Sequence, residues 1–210
     1  SVEFEPARDI FSGPSAALTV TITNSGNESM NVTAATLAGD VPQDFAIAGG
    51  TCTGASPKTL AAGASCTYLV TFDPSDDGNG RAATLEVEHT GINSPTSISL
   101  AGLGLRPMLG VFPGELTFGS SIVGSGPSQP QWVRFENYGS GPLSFGETVF
   151  AGDGAADYAF YSNDCTNRKL VPTEFCDIAI TFSPSAAGPR SAVLRMAHSA
   201  LPHTVTDVPL

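Results

Sequence analysis

Hydrophobic and polar residues alternate with a period of two along most of this chain. In "LTVTIT" (18–23), Leu18, Val20 and Ile22 fall on one side and Thr19, Thr21 and Thr23 on the other. That is the pattern of a half-buried strand with one solvated face. "YLVTF" (68–72), "ATLEVEH" (83–89) and "SISLAG" (97–102) read the same way. Turn-forming clusters, Asn-Ser-Gly-Asn at 24–27 and Asp-Asp-Gly-Asn-Gly at 76–80 among them, separate the runs. No stretch carries the 3.6-residue period of an amphipathic helix. The spacing predicts six to eight short strands in each roughly 105 residues, an antiparallel sandwich with immunoglobulin-like connections.

The pattern also occurs twice. "CTYLVTFDPS" (66–75) returns as "CDIAITFSPS" (176–185). At an offset of 113, Gly13-Pro14 matches Gly126-Pro127, Asn24 matches Asn137, Asp44-Phe45 matches Asp157-Tyr158 and Cys52 matches Cys165. The offset becomes 110 at Cys66 and Cys176, then 109 where Arg81, Leu85 and His89 meet Arg190, Leu194 and His198. Small changes of offset between strand-like runs are loop insertions. A period near 110 residues is too long for a solenoid and fits a whole domain. The chain is therefore expected to be all-β, two tandem immunoglobulin-like antiparallel β-sandwich domains at 1–104 and 105–210. Pro107 restricts Arg106 to extended backbone, so only Gly104–Pro107 is free of either domain. So short a joint predicts an end-to-end spacer with a limited range of angles and long sheet edges open to partner strands.

Composition narrows the function. Acidic residues outnumber basic ones 20 to 9, a formal charge of −11, which argues against nucleic acid and against an anionic membrane surface. No apolar run approaches the ~18 residues of a membrane span. Ser1 begins in mid-pattern with no signal peptide, as expected of a mature or excised segment.

The strand ending in Phe, then "TNSGNESMNV" (23–32) or "ENYGSGPLSF" (136–145), then the "VTFDPS" block (70–75) and the closing "LAGLG" (100–104), resemble the bacterial choice-of-anchor D module. That module is related to the abnormal-spindle/hydin (ASH) class of immunoglobulin-like domains. The resemblance covers both halves. It implies a seven-stranded sandwich, usually in tandem, in secreted or surface bacterial proteins or in ciliary and centrosomal ones. It implies no catalytic residues.

Cys52 and Cys66 have 13 residues between them, Cys165 and Cys176 have 10. Neither spacing is C-x-x-C, and no histidine completes a zinc site. The simple reading is one disulfide per domain, Cys52–Cys66 and Cys165–Cys176; the alternative is two pairs of buried thiols. Disulfides favour an extracellular, cell-surface or periplasmic location.

No nucleophile elbow, H-E-x-x-H or phosphate loop is present, so no catalytic residue and no cofactor is expected. His89 and His198 sit at equivalent strand ends and are expected to be structural. In "DPSDDGNG" (73–80), Asp73, Ser75, Asp77 and Gly78 imitate half of a calcium loop, but Thr84 stands where a bidentate Glu is needed and the matching "SPSAAGPR" has no acid. A solvated hairpin turn is expected there, and no metal. In "QWVRFEN" (131–137), Val133 and Phe135 point inward, leaving Trp132, Arg134 and Glu136 outward. This is a candidate binding surface, since an outward Trp can stack on a sugar or seat a partner; local packing is the plainer reading.

The leading expectation is a non-enzymatic spacer or adhesive segment of a secreted or surface bacterial protein, with an adhesin or filament as its setting. Its partners would be other protein domains or surface proteins met through sheet edges. Two alternatives are a carbohydrate-binding module beside a catalytic domain elsewhere, with a glycan as partner, and a ciliary ASH-type scaffold.

Overall fold

In the computed structural model, which describes residues 1–54 and 56–210 with Asn79 by its backbone alone, the alternating runs become strands. Helical backbone is confined, among the described residues, to two 3-10 turns, Pro42–Asp44 and Ala155–Asp157. The chain divides into two compact units, Ser1–Leu105 and Arg106–Leu210.

The first unit contains β1 (Val2–Asp9), β2 (Leu18–Thr23), β3 (Met30–Ala38), β4 (Phe45–Gly49), β5 (Lys58–Leu60), β6 (Ser65–Phe72), β7 (Gly78–His89) and β8 (Thr96–Leu105). One sheet runs β1-β8-β7-β3-β5 and the other β2-β6-β4. The second unit contains β9 (Leu109–Phe112), β10 (Gln131–Asn137), β11 (Leu143–Ala151), β12 (Tyr158–Asn163), β13 (Lys169–Leu170), β14 (Phe175–Phe182), β15 (Val193–His198) and β16 (Val205–Pro209). Its sheets run β12-β14-β10-β9 and β13-β11-β15-β16. Pairing is antiparallel except for β1, which lies parallel to β8. The second unit differs: Phe118, in the place of Phe4, lies outside any strand, and the earlier β9 pairs with β10, in the opposite sheet.

Each core is made of the inward residues of both sheets. Val70, Leu85 and Val87 in the first unit and Val133, Phe135, Ile178, Leu194 and Met196 in the second are fully buried. Each such side chain contributes about 1.5–3 kcal/mol by leaving water. One end of each core is closed by three rings. Phe4, Phe45 and Phe72 lie 5.0–5.7 Å apart between centroids. Phe118, Tyr158 and Phe182 lie 5.1–5.8 Å apart in the same places. Their spacing is that of attractive aromatic pairs.

Candidate functional site

Both cysteine pairs are disulfides, Cys52–Cys66 with Cα atoms 5.0 Å apart and Cys165–Cys176 at 5.3 Å. Cys66 and Cys176 stand on β6 and β14, and their partners follow β4 and β12. Each bond ties the turn beyond one strand to its hydrogen-bonded neighbour. The Cys52 N–H also donates to the Thr67 carbonyl at 2.9 Å.

The repeated Asp and Arg positions form one device in each unit. Asp44 and Asp157 are buried, at 1% and 2% exposure. Asp44 Oδ2 accepts from Arg81 Nε at 2.5 Å, its Oδ1 accepts from the Ser75 N–H at 3.2 Å, and Arg81 Nη2 donates to Ser75 Oγ at 2.8 Å. Asp157, Ser185 and Arg190 reproduce all three bonds. Burial alone pushes the Asp44 carboxyl up, but hydrogen bonds from Arg81 and Ser75 outweigh it and hold the group below the usual carboxylate range. Asp157 is lowered in the same way by Ser185 and then Arg190.

This clamp corrects the expectation of a hairpin at residues 73–80. β6 belongs to the β2-β6-β4 sheet and β7 to the other, so Asp73–Asp77 crosses between sheets. Buried Pro74 and the bonds of Ser75 to Asp44 and Arg81 turn the chain there. Ser75, a nominal calcium-loop position, is thus engaged in the clamp. Among the described residues, no group of three or more His, Cys, Asp or Glu is placed to hold a metal ion.

Asn24 and Asn137 pin a second crossing. Asn24 Nδ2 donates to the carbonyls of Glu28 and Leu60 at 2.7 and 3.0 Å while its Oδ1 accepts from the Gly26 N–H. Asn137 does the same toward Gly141, Leu170 and Gly139. The histidines are paired alike. Gly91 N–H donates to His89 Nδ1 and Ala200 N–H to His198 Nδ1, so the proton of each neutral ring lies on Nε2, against Thr96 or Thr206. Burial, and then the charge of His203, lowers the pKa of His198.

The outward face of β10 holds the remaining candidates. Trp132 is 51% exposed, while Val133 and Phe135 beneath it have no exposure. Arg134 makes two bonds to Asp177 on β14, at 2.9 and 3.0 Å, and its Cζ lies 3.7 Å from the centre of the Phe175 ring. Glu136 accepts from the Tyr138 hydroxyl at 3.0 Å, and Tyr138 meets Phe112 edge-on at 6.2 Å. The three outward residues of β10 therefore extend into a broader surface that includes Phe112, Tyr138 and Phe175, all exposed. Register places the indole beside Ala179, which has no exposed surface although it lies on the outward side. In the first unit the same face presents Thr19, Thr21 and Thr23 opposite Leu69, Thr67 and Ser65. Phe175 and Asp177 lack any β10-like spacing signal and are identified only once β14 is seen beside β10.

No protein-family model matches the chain, and no curated protein does. Among solved structures, a protein of unknown function from Porphyromonas gingivalis W83 is similar at 13% identity and a TM-score of 0.40, covering 97% of this chain and 92% of that one. The CupB2 chaperone of Pseudomonas aeruginosa is similar at 10% identity and 0.33, covering 100% and 97%. The secreted serine protease VesC of Vibrio cholerae is similar at 15% identity and 0.36, covering 89% of this chain and 47% of that one. With scores and identities this low, these likenesses carry no argument, and the immunoglobulin-like sandwich rests on the chain's own sheets.

Proposed function

We propose that the chain is a non-enzymatic spacer or adhesive segment of the choice-of-anchor D/ASH type, from a secreted or cell-surface bacterial protein. The observation that carries this reading is the duplication of its internally bonded polar side chains. Asp44–Arg81, Asn24 and His89 each recur as Asp157–Arg190, Asn137 and His198, and each set is spent on holding a turn or strand end. Catalysis needs polar groups aimed at a substrate; these are aimed at backbone and at one another. Two disulfides suit an oxidising compartment. Partners on this reading are other protein domains, met along sheet edges. Thiol mapping of the chain isolated from its native source without reductant tests the location. Both disulfides intact is the expected result, and four free thiols would overturn the secreted reading in favour of a cytoplasmic ASH scaffold. Substrate turnover by the isolated chain would overturn the non-enzymatic one.

A second reading is favoured by the difference between the two units' outward faces. Where the first shows threonines, the second shows Trp132 and Phe175 flanking Arg134 and Asp177. Exposed rings beside paired hydrogen-bonding groups suit a sugar, whose apolar ring face stacks while its hydroxyls bond. On that reading the second unit is a glycan-binding module. Glycan-array binding that disappears in Trp132→Ala supports it, and binding unchanged in that variant removes it.

A further inference from the structure

The loop that the Cys165–Cys176 disulfide anchors is held in shape by its own hydrogen bonds. Asn163 Oδ1 accepts from the Cys165 and Thr166 N–H groups at 3.0 and 3.1 Å, and its Nδ2 donates to Thr166 Oγ1 at 2.8 Å. Thr166 Oγ1 in turn donates to Thr148 Oγ1 on β11 at 2.9 Å. The Arg168 N–H donates to the Cys165 carbonyl at 3.0 Å, and the Arg168 carbonyl accepts from the Phe145 N–H at 2.8 Å. The Asp164 N–H donates to the Asp177 carbonyl at 3.1 Å, which lays the loop against the start of β14. A loop fixed this way presents its outward side chains without a further ordering cost on binding.

Between this loop and β14 is a cleft of about 360 Å³, lined by Asp164, Arg168, Thr173 and Glu174, and by Phe175 and Asp177 of the aromatic face. The side chains of Asp164, Arg168 and Thr173 are exposed and make no hydrogen bond or ion pair among the described residues. They differ in this from Asp157, Asn137 and His198, which are bonded within the unit. A carboxylate accepts from hydroxyls, a guanidinium donates to hydroxyl oxygens, and a threonine does both. The cleft therefore suits a ligand rich in hydroxyls. Arg134 is already bonded to Asp177, so Asp164 and Glu174 face Arg168 alone, and like charge disfavours an anionic ligand. The cleft is also continuous with the surface that carries Trp132. Trp132 pairs with Ala179 and Glu136 with Phe175, so the two rings stand on strand positions about 14 Å apart at roughly 3.4 Å per residue. One sugar ring cannot touch both.

We propose that this face takes a neutral oligosaccharide of several sugars, one stacked on the Trp132 indole and the far end of the chain seated in the cleft, where Asp164, Arg168 and Thr173 bond its hydroxyls. This rests on the glycan reading of the same face and adds to it the length and charge of the ligand. Calorimetry on the full chain tests it, with gluco-, manno- and xylo-oligosaccharides of one to six units and with oligogalacturonates as an acidic series. In a neutral series that binds, affinity should rise at least tenfold from the disaccharide to the tetrasaccharide, and the acidic series should not bind. The double variant Asp164→Ala/Arg168→Ala, altered only at exposed side chains, should lose that rise while keeping the disaccharide affinity. Trp132→Ala should weaken binding at every length. Equal affinity for two and four units, an undiminished rise in the double variant, or oligogalacturonate binding as tight as the neutral series would overturn the proposal and leave the glycan reading standing. No binding by any series would overturn both.

Discussion

Asp44 and Arg81 meet at 2.5 Å across 37 positions of sequence, with the aspartate at 1% exposure and bonded also to the Ser75 backbone. The pair joins the 3-10 turn before β4 to the start of β7, and so links the two sheets of the first unit. A buried carboxylate left without its cation is costlier than a partly exposed guanidinium left without its anion. Arg81→Ala is therefore expected to cost about 3–5 kcal/mol and Asp44→Ala less, with the double variant below the sum of the two. Urea dependence of amide exchange at Val70 and Leu85 measures this. Equal and additive losses would contradict it.

The recurrence of these residues is legible in the sequence, since Asp44 and Asp157, and Arg81 and Arg190, fall at matching offsets. Their partnership is not, because alternation marks only which side of a strand a residue faces, and this pair crosses from one sheet to the other. The same limit explains the turn at Asp73–Asp77, where turn-forming residues announce a reversal but not which sheet the chain joins next. Trp132, Arg134 and Glu136 are legible as outward from the period of two. Phe175 and Asp177 become part of that face only through the β10–β14 register, which no local pattern encodes. The strand-like runs, the paired cysteines and the period near 110 residues are the parts that local chemistry writes plainly.

The disulfides close loops that would otherwise be free in the unfolded chain. For a loop of roughly 15 residues the chain-entropy estimate is about 3 kcal/mol. Replacing Cys52 and Cys66 together by alanine should lower the stability of the first unit by about that amount while leaving its exchange-protected strands in place. Peptide mapping without reductant should yield Cys52–Cys66 and Cys165–Cys176 alone. A bond from Cys52 to either cysteine of the second unit would disprove the assignment.

Acid should weaken the second unit in two stages. The pKa of His198 is lowered in the folded state, so the unfolded chain takes up this proton first. The stability involved is complete above the unfolded value of about 6.5 and is lost as pH falls below it. The lowered carboxyls of Asp157 and Asp207 act later, their contribution present above about 3.9 and lost as pH falls through their folded values. Between pH 7.5 and 5.5 the urea midpoint of the second unit should fall, and His198→Gln should flatten that part of the curve. An unchanged slope in the variant would assign the effect elsewhere.

Calcium should leave the first unit unmoved. Ser75 is held by Asp44 and Arg81, so recruiting residues 73–78 around a cation would require breaking the clamp. Thermal unfolding in millimolar calcium and in chelator should coincide. A rise with calcium that vanishes in Asp77→Ala would show the loop to be a site.

The aromatic face can be tested through its own chromophore, because Trp132 is the only tryptophan in the chain. Its indole is half exposed and stands beside Arg134, whose guanidinium makes two bonds to Asp177 and has its Cζ 3.7 Å from the centre of the Phe175 ring. A sugar stacking on the indole would displace water from that half, shifting the emission to shorter wavelength in proportion to occupancy. Titration with soluble oligosaccharides should then give a saturable shift. Trp132→Phe keeps a ring and should retain part of the affinity; Trp132→Ala should lose at least tenfold, about 1.4 kcal/mol, without altering the exchange protection of Val133 and Phe135. Arg134→Lys keeps the charge but gives up the planar two-bond fork, so it should weaken binding by freeing Asp177 and uncovering Phe175. Oligosaccharide binding detected by calorimetry with no change in emission, and undiminished in Trp132→Ala, would move the binding surface off this sheet and leave Trp132 as a packing residue over Ala179.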